Sequence, residues 1–273
     1  MSDDNGWRQL IADGPLLLKL RGGIAQIMLN RPAASNGMNI DLLKALNAAI
    51  MLCHGEPEIR VVLLSGAGAN FCAGGDVQAF AAQGKDLPRY VGKATSYLQS
   101  AILGLIRLQA PVVASVHGFA AGGGGFGLVC AADMVIAGQS ARFLAGATRV
   151  GMAPDAGVSV TLARLVGMRR ATDILFTNPT LSADQALALG LVSRVVPDAD
   201  LGQASLALAV ELASGAPRAL AATKRLLWSG VGSSIEACLP EEARTVTELC
   251  ATDDALEGLA AVIERRQPNF TGR

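Results

Sequence analysis

Four consecutive glycines, Gly122 to Gly125, separate an apolar run suited to a strand (Pro111-Val-Val-Ala-Ser-Val116) from a small-residue run suited to a helix (Phe126 to Ala132). A strand that ends in glycine and enters a helix aims unpaired N–H groups and the positive end of the helix dipole at one point. Glycine lets a ligand come close to that backbone. The segment reads as an anion site, for a phosphate or for an oxyanion formed during a reaction. Gly122, Gly124 and Gly127 also match G-x-G-x-x-G. A dinucleotide site needs an acidic residue about 20 positions on to hold the ribose, and no Asp or Glu lies between Asp133 and Asp155. No G-x-x-x-x-G-K-[ST] occurs, which excludes a P-loop. A third reading is that the glycines only let helix and strand pack closely.

An oxyanion site needs a second donor. Phe71-Cys72-Ala73-Gly74-Gly75-Asp76 also follows a strand and a glycine turn and precedes a helix-like run. The Gly75 N–H and one from the 122–125 run can converge on one oxygen. Asp76 suits the start of the following helix, a structural role. His117 reads as a turn residue and Cys72 as a buried, inert thiol. No G-x-S-x-G elbow occurs, which argues against a serine hydrolase.

The elements that must hold these turns alternate. A strand is expected at 24–29. Asn39 is placed to cap a helix whose Leu42, Leu43, Leu46, Ala49, Ile50 and Cys53 share a face. Residues 59–64 form a buried strand that ends at Ser65-Gly66-Ala67-Gly68. A long helix is expected over about 87–108, then strands at 112–116 and 134–137. Helices near 158–166, 169–176 and 183–189 precede a short strand at 192–196. From Pro197 on the pattern is only helical. This alternation predicts an α/β fold with parallel strands over residues 1–196 and a helical region over 197–273. Periodicity alone leaves a doubly wound sheet and a spiral of β-β-α turns both open.

Composition bounds the partners. The chain has 273 residues, zero formal net charge, 51% apolar and 17% charged residues. That balance gives no electrostatic bias towards nucleic acid or acidic membranes. No segment reaches the roughly 18 uninterrupted apolar residues of a membrane span. The start, Met1-Ser-Asp-Asp-Asn5, has no basic region, so no secretory signal is expected. Five scattered cysteines without C-x-x-C spacing suit a reducing cytoplasm. Two histidines and no H-E-x-x-H argue against a zinc enzyme, and no metal is expected.

Taken in order, the motifs resemble the crotonase superfamily of enoyl-CoA hydratases and isomerases. The resemblance rests on Leu29-Asn-Arg-Pro32 with Asn36, on Phe71 to Asp76, and on Pro111 to Gly124. It continues through Ala132-Asp-Met-Val-Ile-Ala137, Gly151-Met-Ala-Pro-Asp155, Leu165-Val-Gly-Met168, Thr180 to Ala186, Gly190-Leu-Val192 and Glu264 to Phe270. It implies a crotonase-like α/β spiral of β-β-α turns with a C-terminal helical oligomerisation region that builds homotrimers, frequently paired into hexamers. It implies acyl-CoA thioesters as substrates and no permanently bound cofactor.

By the resemblance, two backbone N–H groups stabilise a thioester enolate: Gly75, and Gly124 or Gly123 in the second turn. Counting back from Asp133 gives Gly124 and counting forward from His117 gives Gly123; Gly124 is preferred and Gly123 stays open. The two glutamates of the family's hydratases fall at Gly127 and Ala147, neither acidic. Asp155 matches the catalytic Asp of some isomerases in the superfamily, and its neighbours Met152, Ala153, Pro154, Ala156 and Val158 are suited to desolvate it and raise its pKa. The structural alternative is a cap on the helix near Gly157. These matches imply double-bond isomerisation of an enoyl-CoA with Asp155 as proton shuttle. Hydration of an unusual acyl group and a non-catalytic acyl-CoA-binding protein are the alternatives. Aryl-CoA dehalogenases share the Asp, but their histidine falls at Gln99 and their tryptophan at Ala147. Backbone contacts to coenzyme A are implied near Ala34, Asn36 and Ala73, with adenine against the loop after strand 24–29 and with Arg265 and Phe270 reaching the nucleotide end, often from a neighbouring subunit. The acyl pocket wall is expected from 77–105, including Phe80, Tyr97 and Leu98.

Overall fold

The computed structural model describes residues 6–273. Among them the strands are β1 (Arg8–Ile11), β2 (Leu16–Arg21), β3 (Ile24–Leu29), β4 (Val61–Gly66), β5 (Val112–Val116), β6 (Phe119–Ala121), β7 (Met134–Gly138), β8 (Arg142–Leu144), β9 (Leu181–Ser182) and β10 (Arg194–Val196). The helices are α1 (Ile40–Gly55), α2 (Val77–Ala81), α3 (Leu87–Arg107), α4 (Gly122–Ala131), α5 (Val158–Val166), α6 (Met168–Thr177) and α7 (Ala183–Ala188). After them come α8 (Leu201–Ala213), α9 (Pro217–Gly230), α10 (Ile235–Leu249) and α11 (Asp253–Glu264).

A seven-stranded sheet runs β1-β2-β3-β4-β5-β7-β10, and a short one runs β6-β8-β9. The large sheet is parallel from β3 to β10, as expected, while β1 and β2 join it antiparallel. The alternation in Leu16–Arg21, buried at every second residue, is the signal of the unexpected β2.

The chain winds as a spiral. β5 lies in the large sheet, β6 in the small one, and α4 closes the turn; β7, β8 and α5 follow the same order. Earlier turns reach the small layer through single residues, with Met38 bridged to Gly75 and Cys72 bridged to Ala120. This resolves the choice the periodicity left open.

Local signals explain the elements. The Asn39 side chain accepts from the Leu42 N–H at 2.9 Å and starts α1, whose buried face is the expected set of six residues. The α8 helix lies on the outer face of the large sheet and buries Leu201, Leu208 and Ala209 against Val61, Leu63, Val113 and Ile136. The helical region after residue 196 thus begins inside the core.

One buried polar cluster fastens α9 to the spiral. Lys224 Nζ lies 2.7 Å from Asp133 Oδ2 and donates to the Leu105 and Ala110 carbonyls at 2.8 and 3.2 Å. Asp133 also accepts from Trp228 Nε1 at 2.9 Å and from the Val112 N–H at 2.7 Å. Burial lowers the Lys224 pKa, and Asp133 partly restores it. Removing one partner of a buried pair strands the other. Lys224→Ala is therefore expected to destabilise the protein by about 3 kcal/mol, read from the urea midpoint at constant m-value.

Candidate active site

Gly75 and the start of α4 meet at the carboxyl ends of β4 and β5. Met38 grips both sides of Gly75: its N–H donates to the Gly74 carbonyl at 2.7 Å, and its carbonyl accepts from the Asp76 N–H at 3.1 Å. In a parallel bridge of this kind the N–H of the central residue points to the other side. Gly122 lies close by, so that a Cβ there would stand 3.1 Å from Gly74 Cα and 3.7 Å from Gly75 N. Gly122 has φ of +60°, which glycine adopts without strain. The first turn of α4, with its unpaired N–H groups, thus sits beside Gly75.

The α4 helix then presents a bare face. Gly123 and Gly127 are four residues apart and lie on one side of it. The turn carrying Asp155 and Ala156 packs onto that side. A Cβ at 123 would fall inside the van der Waals radius of Asp155 Oδ1 and 2.8 Å from Oδ2. A Cβ at 127 would stand 2.5 Å from the Ala156 Cβ. Position 127, where the resemblance puts a hydratase glutamate, is filled by the neighbouring turn. Gly124 is buried beneath Met38 Sδ and the Gly74 carbonyl, whereas Gly75, Gly122 and Gly123 are partly exposed.

Asp155 does not cap α5. Gly157 holds the N-cap position, without a side-chain bond, and Ala156 adopts a positive φ of 53°. The carboxylate borders a cavity of about 10 Å³ lined by Gly122, Gly123, Phe126, Ala147, Pro154 and Val158, among others. That is room for about one water molecule. No cation pairs with Asp155 among the described residues. Burial pushes its carboxyl above the ordinary carboxylate value, and a bond from its own backbone N–H offsets part of the rise.

Other expected residues divide. Asn36 is fully buried with φ of +54°. Its Nδ2 donates to the carbonyls of Ala67, Asn70 and Phe71 at 2.9, 2.8 and 3.1 Å, and its Oδ1 accepts from the Arg31 N–H at 2.8 Å. Its carbonyl accepts from the Cys72 thiol at 3.1 Å. Asn36 ties the loop after β3 to the loop after β4, with its polar atoms committed there. Ala34 and Ala73 are exposed at that junction, where the Ala73 N–H donates to the Ser35 carbonyl at 3.0 Å.

Asp76 caps α2 through the Ala79 N–H at 3.0 Å and pairs with Arg31 at 2.9 Å. Burial opposes its ionisation, yet these bonds hold its carboxyl below the ordinary value. Burial pushes the Cys72 thiol up to about 12, consistent with an inert thiol. His117 Nε2 donates to the Gly68 carbonyl at 2.9 Å, a turn contact.

Arg265 and Phe270 lie elsewhere. Arg265 ends α11 in the left-handed region and is exposed. The Phe270 carbonyl accepts from Arg60 Nη1 at 3.1 Å, just before β4 begins, whereas Gly75 follows its end. Neither is brought to Gly75 and Asp155 within one chain. In the expected pocket wall, Leu98 belongs to the hydrophobic core and Tyr97 packs against it. Phe80 does reach the site: a Cβ on Gly75 would stand 2.7 Å from its ring, which meets Tyr90 edge-on with centroids 5.9 Å apart.

Sequence reasoning missed Met38, the bridge to Gly75, and Asn178. Asn178 is buried and borders the Asp155 cavity; its Oδ1 accepts from the Gly146 N–H at 2.7 Å, just before Ala147. Its left-handed φ at the end of α6 is the signal that an Asn there could have carried. Among the described residues no group of His, Cys, Asp and Glu could hold a metal ion, and no helix is long and apolar enough to cross a membrane.

A two-layer spiral with paired glycine turns at one end defines the class. The family model for enoyl-CoA hydratase/isomerase matches residues 19–273. A probable enoyl-CoA hydratase of Rhodobacter capsulatus is 39% identical, covering 92% of this chain and 95% of that protein. A trans-2-decenoyl-[acyl-carrier-protein] isomerase of Streptococcus mutans is 31% identical, covering 94% and 98%. The crystal structure of an enoyl-CoA hydratase from Bacillus anthracis superposes with a TM-score of 0.90 at 31% identity, covering 95% of this chain and all of that one. The chain belongs to the enoyl-CoA hydratase/isomerase family, in the crotonase superfamily.

The bare face of α4 yields a prediction. Gly123→Ala is expected to push the Asp155 carboxylate aside and lower enoyl-CoA turnover about a hundredfold while the circular dichroism spectrum is kept. Gly127→Ala, which pushes on Ala156, is expected to destabilise the fold by about 1–3 kcal/mol in thermal unfolding.

Proposed function

We propose that this family member isomerises the double bond of an enoyl-CoA, with Asp155 as the proton shuttle and the Gly75 and Gly123 N–H groups as the oxyanion donors. The observation that carries the reading is the seat of Asp155. A desolvated carboxylate without a cation partner lies against the helix turn whose N–H groups face Gly75, and the places for both hydratase glutamates hold Gly127 and Ala147. Exposure favours Gly123 over Gly124 as the donor a ligand can reach.

In this reading the thioester oxygen sits between the two donors. Asp155 takes a proton from the α-carbon of a β,γ-enoyl thioester, and the electron pair moves onto the oxygen as a dienolate. The same group, now a carboxylic acid, gives the proton to the γ-carbon, and the double bond ends between α and β. The carboxylate is regenerated and no water is consumed. A raised pKa makes Asp155 a better base than an exposed aspartate. Removing one oxyanion donor costs about 2.7–4 kcal/mol, so two backbone donors account for a large share of the barrier.

Hydration is the second reading. It is favoured by the names of the relatives, most of which are hydratases, and by the space for one water beside Asp155. For coenzyme A, exposed Ala34 and Ala73 offer backbone at the β3 and β4 loops. Arg265 and Phe270 then serve the nucleotide of a neighbouring subunit. A trimeric or hexameric assembly is supported by bare apolar side chains on α11: Leu259, Val262 and Ile263 are 64, 79 and 81% exposed.

Asp155→Asn tests the assignment. Conversion of 3-enoyl-CoA to 2-enoyl-CoA is expected to fall at least about a hundredfold, with binding of a saturated acyl-CoA kept. Unchanged turnover sinks the Asp155 role, and turnover of 2-enoyl-CoA to the 3-hydroxy thioester with no isomerisation establishes the hydratase reading. Because burial raises the Asp155 pKa, the active carboxylate form is lost as pH falls through that raised value. The acid limb of kcat/KM is therefore expected above the titration range of an exposed aspartate, and absent from any residual activity of the Asn variant.

A further inference from the structure

Residues 145–157 connect β8 to α5 and carry both Ala147 and Asp155. The backbone of this connection is left-handed at Gly146, Gly151, Ala156 and Gly157. An alanine is disfavoured in that region, so Ala156 keeps its conformation only because the surroundings enforce it. The end after Asp155 is enforced by packing, with Ala156 seated on the bare Gly127. The end before Asp155 is held by hydrogen bonds. Among the described residues, every hydrogen bond from 146–155 that leaves the connection and the adjoining α5 goes to Leu175 or Asn178, at the end of α6.

Asn178 is buried and follows α6 with φ of +50°. Glycine takes that φ more readily, so the amide is what asparagine adds at this position. Its Oδ1 accepts from the Gly146 N–H at 2.7 Å, and its Nδ2 donates to the Thr148 hydroxyl and to the Leu175 carbonyl, the latter at 3.3 Å. The Thr148 hydroxyl donates to the same carbonyl at 3.1 Å. The Asn178 carbonyl accepts from Arg149 Nη2, and its N–H donates to the Ile174 carbonyl at 3.0 Å. Gly146, Thr148 and Arg149 are thus tied to one residue. Its polar groups are all committed, although it borders the same small cavity as Asp155. Asp155 is the one titratable side chain lining that cavity among the described residues, and Arg149 turns its guanidinium to Asn178. From the tie the connection runs on through internal bonds: the Met152 N–H donates to the Ala147 carbonyl at 3.0 Å, and Pro154 restricts the last step before Asp155.

We propose that Asn178 is a positioning residue of the reaction: its amide clamps the Gly146–Arg149 turn and so holds the Asp155 carboxylate against the bare face of α4, beside Gly123. The inference rests on the reading of Asp155 as the proton shuttle. The Gly127 contact seats one end of the connection and the Asn178 clamp the other, with Asp155 between them in the chain. Carrying a proton between two carbons of one bound chain tolerates little displacement, and a shift of about 1 Å costs about a hundredfold in rate. A loosened clamp also lets water reach the carboxylate, which returns its titration towards the range of an exposed aspartate.

Asn178→Gly tests this in the full-length protein, because it keeps the left-handed turn and removes the amide. Amide hydrogen exchange is expected to speed up at least about tenfold over 146–155 and to stay unchanged in α1. For conversion of 3-enoyl-CoA to 2-enoyl-CoA, kcat is expected to fall about tenfold to a hundredfold with KM kept within about twofold. The acid limb of kcat is expected to move to lower pH, since a solvated Asp155 loses its proton more readily. Thr148→Val removes one partner of the amide from the exposed side. It is expected to act in the same directions more weakly, and it carries the test where the glycine variant does not fold. A lower unfolding temperature with kcat and the acid limb unchanged marks a purely structural asparagine and overturns the proposal. Exchange that does not rise over 146–155, or that rises equally in α1, overturns it too. If exchange rises over 146–155 alone while Asp155→Asn leaves turnover unchanged, the clamp stands as a structural tie, and the reading of Asp155 falls together with the positioning role.

Discussion

The close approach of the Asp155 turn to α4 is the contact on which the rest of the site depends. Backbone cannot come that near a helix carrying side chains, so positions 123 and 127 must be bare. Gly123 makes room for the carboxylate and Gly127 for Ala156 one turn later. A side chain at 127 and the turn at 156 compete for the same volume. The same approach takes Asp155 out of water without giving it a cation, and this is what raises its pKa.

The spiral supplies the other half. Each turn places a strand in the large sheet and a short strand or a single bridging residue in the small layer, so successive loops stack at one end. Met38, Cys72 and Ala120 are links in that ladder. Asn36 fastens the first two loops through bonds to three carbonyls. Loss of that amide would leave the buried Phe71 carbonyl without this donor, at a cost of about 1–3 kcal/mol. The backbone of Gly75 is held by its bridge to Met38, which leaves its N–H beside the first turn of α4.

Charge builds structure where it is buried. Asp133 and Lys224 form a closed cluster that pins α9 to the spiral, with each polar atom matched by a carbonyl, an amide or the Trp228 indole.

The sequence by itself determined the element order, the capped start of α1 with its buried stripe, and the position of both glycine turns, because periodicity, capping and turn chemistry are local properties. Ordered motifs carried the family, and Asp155 stood out as a carboxylate among apolar neighbours. Local rules could not see β1 and the short strands of the second sheet, whose pairing partners are distant in the chain. They placed Leu98 in the pocket wall where α3 turns it into the core, and they could not show that the Asn36 amide ties the loops after β3 and β4 together. Counting residues along the glycine run preferred Gly124 and kept Gly123 open, because counting cannot tell which glycine is covered. Only tertiary packing decides that: Met38 and Gly74 close over Gly124, while Gly123 stays open beside Asp155.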